Sequence, residues 1–293
     1  MSFREVLVNI YNIMDPRLVA FINGIRMKKG YQEWCQHPQG QANVRDKLQG
    51  WHGAFEGHRC VVIGNGPSIN RMDLSCLKDE YTFGMNRIYL KFEEWGFETD
   101  FLACVNDTVL DQFRDDFLKL ELPKFFNWRH GKHFADDPNS LLLHSKVGIK
   151  PNGDIVEGLF NSGFTVTNAC LEIAYFMGFS EVVLIGVDHS YKHEKGHGGK
   201  TIVAEGDDQN HFHKDYFGKG VKWQLPNLSA SEFAYQRMRD LYEKDGRRII
   251  DATLDGKLKV FEKDEFANCL MNSEMKNKSD GGPVLKLSFP QND

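Results

Sequence analysis

Apolar residues recur at two different periods along this chain, and the change between them divides it. Near the start, Phe3, Val6, Leu7, Ile10, Tyr11 and Met14 fall three or four apart; after Pro16, Leu18, Phe21, Ile22 and Ile25 repeat that spacing up to Arg26-Met27-Lys28-Lys29-Gly30. Such spacing predicts an amphipathic helical pair. A face packed on the rest of the protein, or in a homo-oligomer, is the expected role; the basic end also suits peripheral contact with a membrane surface. Gly24 weakens the second helix. Residues 31–58, rich in Gln, Gly and His, read as a linker with one helix near Asn43 to Phe55.

From Arg59 onward, short β-branched runs alternate with helical ones. Strands are expected at 60–63, 81–85, 100–105, 124–127, 181–187 and 248–250, and helices at 73–78, 109–119, 165–177 and 229–245. This alternation predicts an α/β fold, a Rossmann-like, mostly parallel sheet flanked by helices. The expected organisation is a helical extension and linker over 1–57, a nucleotide-binding catalytic domain over 58–265 with a mobile lid at about 190–225, and a tail over 266–293.

The 293 residues suffice for a sizeable core, and a net charge of −5 gives no support to nucleic-acid binding. Six cysteines, Cys35, Cys60, Cys76, Cys104, Cys170 and Cys269, are scattered without CxxC spacing. They read as reduced thiols, which points to the cytoplasm, including the inner face of the membrane. No apolar run approaches the roughly 20 residues that span a bilayer, and no signal peptide precedes the first charges.

The densest chemical signal is Gly64-Asn65-Gly66-Pro67-Ser68, directly after Cys60-Val61-Val62-Ile63. A buried strand opening into a glycine turn lets backbone N–H groups approach a phosphate, with Asn65 and Ser68 adding side-chain partners. A tight connection explains the same residues more simply. No Gly-Lys-Ser/Thr follows, and Ile69 stands where a dinucleotide fingerprint needs its third glycine. Polar residues recur at the ends of the later strands: Asn86, then Asn106 and Asp107, then Asp188, His189 and Tyr191. In parallel sheets ligands bind at those ends. Asn161-Ser162-Gly163 precedes the helix expected from Thr165, whose N-terminus would favour an anion, with Ser162 either its cap or a ligand contact.

This ordered set resembles the bacterial lipooligosaccharide sialyltransferases. It is more similar to the family typified by flagellin motility-associated factors and archaeal 6-hydroxymethylpterin diphosphokinase, in which the block Thr82 to Tyr89 has close counterparts. The similarity covers roughly residues 58 to 252. It implies a transferase that binds a CMP-activated nonulosonic acid through Asn65, Asn86, Asn106, Ser162 and Gly163 and passes the sugar, with inversion, to a glycan or protein acceptor. It also implies tyrosines at the departing phosphate, here Tyr191 and Tyr216, and a histidine base, here His211 or His213.

Between these lies a stretch with its own chemistry. His189, His193 and His197 recur every fourth residue and invite a metal site, but Gly196, Gly198 and Gly199 argue for a loop rather than a helix. A lid that brings His211, His213, Lys214 and Tyr216 to the donor phosphate is the preferred reading, and a nucleoside monophosphate leaving group requires no metal. The alternative is ATP-dependent diphosphate transfer, with Mg²⁺ held by Asp107, Asp188 or Asp207-Asp208. A third reading is a silent scaffold of surface-glycan or flagellar assembly.

Overall fold

The computed structural model describes residues 28–145, 154–161, 163–191, 201–272 and 274–283. The expected helical pair before residue 28 lies outside them, as do Ser162, His193 and His197. Strands β1 (Arg59–Ile63), β2 (Tyr81–Met85), β3 (Phe101–Cys104), β4 (Lys124–Asn127), β5 (Ser140–Ser145), β6 (Leu159–Phe160) and β7 (Glu181–Ile185) run from the glycine turn onward. After them come β8 (Thr201–Val203), β9 (Lys222–Gln224), β10 (Arg248–Asp251) and β11 (Glu262–Lys263). Nine of these form one sheet in the order β11-β10-β7-β1-β2-β3-β4-β5-β6, every neighbouring pair parallel; β8 and β9 make a separate antiparallel pair. The fold is thus an α/β, Rossmann-like one.

Helices α1 (Gln41–Gln49), α2 (Asp107–Gln112), α3 (Val166–Met177), α4 (Leu228–Lys244) and α5 (Phe266–Met271) accompany the sheet. Because side chains alternate across a strand, Cys60 and Val62 of β1 enter one core layer with Ala169, Ile173 and Met238 of α3 and α4, while Val61 and Ile63 enter the other. Coverage on both faces is why β1 and β7 are apolar without alternation. Gly178, at φ +97, ends α3 in the left-handed conformation that favours glycine.

Several expectations change. The helix expected at 73–78 is a tighter turn over Ser75–Asp79, and that at 109–119 is α2 plus a second short helix, Arg114–Leu118. The stretch 31–58 is no linker: residues 28–36 and α1 are helical, and Trp34, Leu48 and Phe55 are fully buried. Trp34 Nε1 donates to the Leu142 carbonyl at 2.8 Å, tying this segment to the unanticipated β5. Residues 266–283 are likewise no free tail. Arg59 Nη1 donates to the Cys269 carbonyl at 2.7 Å, the Arg59 N–H to the Lys276 carbonyl at 2.9 Å, and the Tyr81 hydroxyl to the Pro283 carbonyl at 3.2 Å. No helix among the described residues is long and apolar enough to cross a membrane.

The chain builds the sheet outward from β1 to β6, then returns to place β7 on the other side of β1. Connections after β1 and β7 therefore leave in opposite directions and open a crevice at their carboxyl ends. Gly64 and Gly186 stand at that crevice.

Candidate active site

The glycine turn is built for close approach of two strand ends. The Gly64 N–H donates to the Ile185 carbonyl at 2.7 Å, and the Gly66 N–H to the Gly186 carbonyl at 2.8 Å. A Cβ on Gly64 would lie 2.3 Å from the Gly186 oxygen, and one on Gly66 would lie 2.3 Å from Asp188 Oδ1. The Asp188 carboxylate in turn accepts from the Ser68 N–H at 3.1 Å and, in closer contact, from the Ser68 hydroxyl. These N–H groups are already occupied, so the expected phosphate cradle is corrected: Ser68 and Asp188 clamp the turn. What the turn offers a ligand is Asn65, only 8 % exposed, whose Oδ1 has no partner among the described residues.

Around it lie two adjoining compartments of about 130 Å³ and about 510 Å³. Asn65 and Asp188 line the smaller, Asn106 lines the larger, and Asn86, Thr165, Val166, Tyr191 and His211 line both. Asn86 ends β2 at φ +49, a left-handed conformation asparagine tolerates better than most residues, and its Oδ1 is also buried and unpartnered. Asn106 has a helix-capping role as well: its Oδ1 accepts from the N–H groups of Thr108 and Val109 at 2.9 and 3.3 Å, which leaves its NH₂ toward the larger compartment. Thr165 caps α3, its hydroxyl accepting from the Thr167 N–H at 3.3 Å. The first turn of α3 thereby brings the positive end of its dipole to both compartments.

The catalytic candidates separate. His211 Nδ1 lies 2.7 Å from Asp208 Oδ2, and that carboxylate also accepts from the N–H groups of Asn210, His211 and Phe217. The imidazole stacks on the Tyr216 ring, centroids 4.1 Å apart and planes 8° from parallel. Arg87 holds this stretch by donating to the carbonyls of Asp215 and Tyr216, and the Phe212 N–H reaches the Asn65 carbonyl at 2.9 Å. Residues 208–217 are thus bonded to the rim, and residues 192–200 of the expected lid lie outside the described residues. With Nδ1 directed at a carboxylate, Nε2 is the nitrogen left to take a proton.

The other expected groups stand elsewhere. His213 faces its own loop, its Nδ1 accepting from the Asp215 N–H at 3.2 Å, and Lys214 is exposed; neither lines a compartment. Tyr216 is fully buried, so it supports His211 and does not reach a phosphate directly. Asp107 lies beside His130 and Arg129, at 3.4 and 3.6 Å, and lines neither compartment; burial pushes its carboxyl up against the pull of those two side chains. Asn161 and Gly163 form a turn in which Asn161 Oδ1 accepts from the Gly163 N–H at 3.0 Å; at φ +53, a Cβ on Gly163 would meet Asn168. His189 does line the smaller compartment, with its Nε2 2.9 Å from Glu232. Asp208 was legible only as half of an acidic pair, though its place three residues before His211 is a local signal for a dyad; Phe164, Trp223 and Gln224 carried none.

The described lining residues include aspartate at position 188 but no lysine or arginine. Among the described residues no group of three or more His, Cys, Asp or Glu could hold a metal ion. Burial tends to raise the Asp208 carboxyl, but hydrogen bonds from His211 and from two backbone N–H groups hold it below the ordinary value. A carboxyl so lowered contributes stability above the ordinary carboxylate range and loses it as pH falls through its folded value. Asp208→Asn should therefore be less stable than the wild type at neutral pH, with the difference closing in acid. Urea unfolding across pH checks this, and a difference independent of pH would contradict it.

Comparison with curated proteins returns no match. Among solved structures, the MAf glycosyltransferase from Magnetospirillum magneticum AMB-1 is similar in fold, with a TM-score of 0.51 and 14 % identity over 81 % of this chain and 40 % of that one. The chain thus spans less than half the length of that neighbour. The family profile described as 6-hydroxymethylpterin diphosphokinase MptE-like matches residues 39–194, which run from α1 through the glycine turn, the strand-end asparagines and α3 to Tyr191 and stop short of His211. With more than half of its length under that profile, including β1, β7 and the glycine turn between them, the chain belongs to the 6-hydroxymethylpterin diphosphokinase MptE-like family.

Proposed function

We propose that this chain is a glycosyltransferase that passes a nonulosonic-acid-type sugar from a CMP-activated donor to a hydroxyl acceptor, with His211 as general base. The observation that carries this reading is the Asp208–His211 pair at the junction of the two compartments. Asp208 accepts from Nδ1–H and so favours the tautomer whose Nε2 lone pair can take a proton at neutral pH. The acceptor O–H proton passes to Nε2 as its oxygen bonds to the anomeric carbon, and the bond from that carbon to the phosphate oxygen breaks with its electron pair leaving on CMP. Attack opposite the leaving phosphate inverts the centre. Asn65 and Asn86 contact the nucleotide, while the α3 N-terminus and the Tyr191 hydroxyl offset charge on the phosphate.

The family's description favours a second reading, diphosphate transfer from ATP. Its developing charge calls for Mg²⁺, and the acids expected to hold the ion do not fit: Asp188 is clamped to Ser68, Asp208 to His211, and Asp107 and Asp207 line neither compartment. A lining without lysine or arginine among the described residues suits a nucleoside monophosphate better than a triphosphate. Thermal shift separates the readings: CMP should raise the melting temperature more than ATP with Mg²⁺. Asn86→Ala should weaken CMP binding by about 1–3 kcal/mol, because it removes a partner from a desolvated polar group. A larger shift from ATP–Mg²⁺, or unchanged CMP affinity in the variant, would remove the donor assignment.

A further inference from the structure

Two compartments meet at one base, and their chemistry differs. The smaller holds Asn65 and the glycine turn; the larger lies beneath β9. Resting on the donor reading above, we propose that the larger compartment is the acceptor subsite and that it takes a neutral, hydroxyl-rich carbohydrate.

Its described lining contains no carboxylate, lysine or arginine. Carboxamides take their place: Asn106, Gln224 and Asn227. Asn106 and Asn227 each use Oδ1 to cap a helix, Asn227 accepting from the Ala230 N–H at 3.1 Å, so each keeps its NH₂ donors for a ligand. Planar amides of this kind pair with hydroxyls and leave no charge to neutralise. An anionic acceptor would find no cation here, and a basic one no carboxylate.

The second observation is Phe164. It stands at φ +68, where a bulky side chain is strained, and is 66 % exposed on the wall shared by both compartments. No aromatic ring or cation packs on it among the described residues. The Asn161–Gly163 turn fixes the backbone before it, and Thr165 begins the α3 cap after it. An exposed aromatic face at the rim of an amide-lined compartment matches the apolar C–H face of a sugar ring, whose hydroxyl edge then meets the carboxamides. Trp223, which lines the same compartment, stacks on Phe217 with centroids 5.5 Å apart and adds further apolar surface.

Ligand-observed saturation-transfer NMR on the full chain, with CMP present, tests this. The probes are the neutral methyl hexosides, galacturonate and an uncharged serine-threonine peptide; Phe164→Ala and Gln224→Ala are the variants, and CMP thermal shift is the parallel measurement. Expected is a response from a neutral hexoside, weakened roughly 2- to 10-fold in each variant, with the CMP shift unchanged in Gln224→Ala, whose side chain lines only the larger compartment. A response from galacturonate equal to that from hexosides, a response from the peptide alone, no hexoside response, or hexoside binding indifferent to both variants overturns the proposal. A hexoside response lost in the variants supports the subsite even where CMP produces no shift, and in that case only the donor reading fails.

Discussion

His211→Ala is expected to slow sugar transfer by roughly 10²–10⁴-fold while CMP still binds, and His213→Ala is expected to leave turnover nearly unchanged. The two histidines are separated by a single residue, yet only one lines the compartments. His211 is fixed on three sides: Asp208 sets its tautomer, Tyr216 backs its ring, and its own N–H is held by Asp208 Oδ1 at 3.1 Å. His213 uses its Nδ1 within its own turn. Steady-state turnover with a CMP-activated nonulosonate, beside CMP affinity by calorimetry, reads both effects. Comparable losses in the two variants, or a loss of CMP binding that explains the whole effect of His211→Ala, would remove the base assignment.

The second large effect is on stability, at the opposite end of the strands. Arg59 lies fully within the structure, 2.6 Å from Glu80 Oε1 and 3.9 Å from Glu181 Oε1, and it also donates to the Cys269 carbonyl. Arg59→Ala would leave the buried Glu80 carboxylate without its cation, while Glu181 keeps Arg248, and would free the backbone of α5, so a loss of roughly 3–5 kcal/mol is expected. Burial already pushes the Glu80 carboxyl up, against the opposing hydrogen bond from Arg59. Without that bond the carboxyl rises further and protonates more readily, so the deficit should shrink as pH falls through its raised value. Urea midpoints at neutral and acid pH measure this; a deficit below about 1 kcal/mol would mean that water reaches the carboxylates.

Much of the fold is legible in the chain because its signals are local. β1 and β7 are uninterrupted apolar runs because helices cover both faces of the sheet, and a run of that kind ending in glycine needs only neighbouring residues to be recognised. The span of α3 follows from its apolar residues and from Gly178 after it. By contrast, β5 has no glycine turn to announce it, and the burial of Trp34, Leu48 and Phe55 depends on surfaces far away in the chain. Composition around those residues is polar, which conceals their role.

At the site the division is similar. The sequence by itself determined that polar residues would collect at the carboxyl ends of parallel strands, since strand period and loop position are properties of neighbours: Asn65, Asn86, Asn106, Asp188 and Tyr191 all stand there. Only the tertiary structure decided what each does. Whether Asp188 meets a ribose or Ser68 depends on a contact across 120 positions, and how residues 208–217 present Tyr216 and the two histidines to the crevice depends on their bonds to the distant Asn65 and Arg87. Such contacts are set by how side chains fill space once the sheet has formed, and residue spacing carries no record of that.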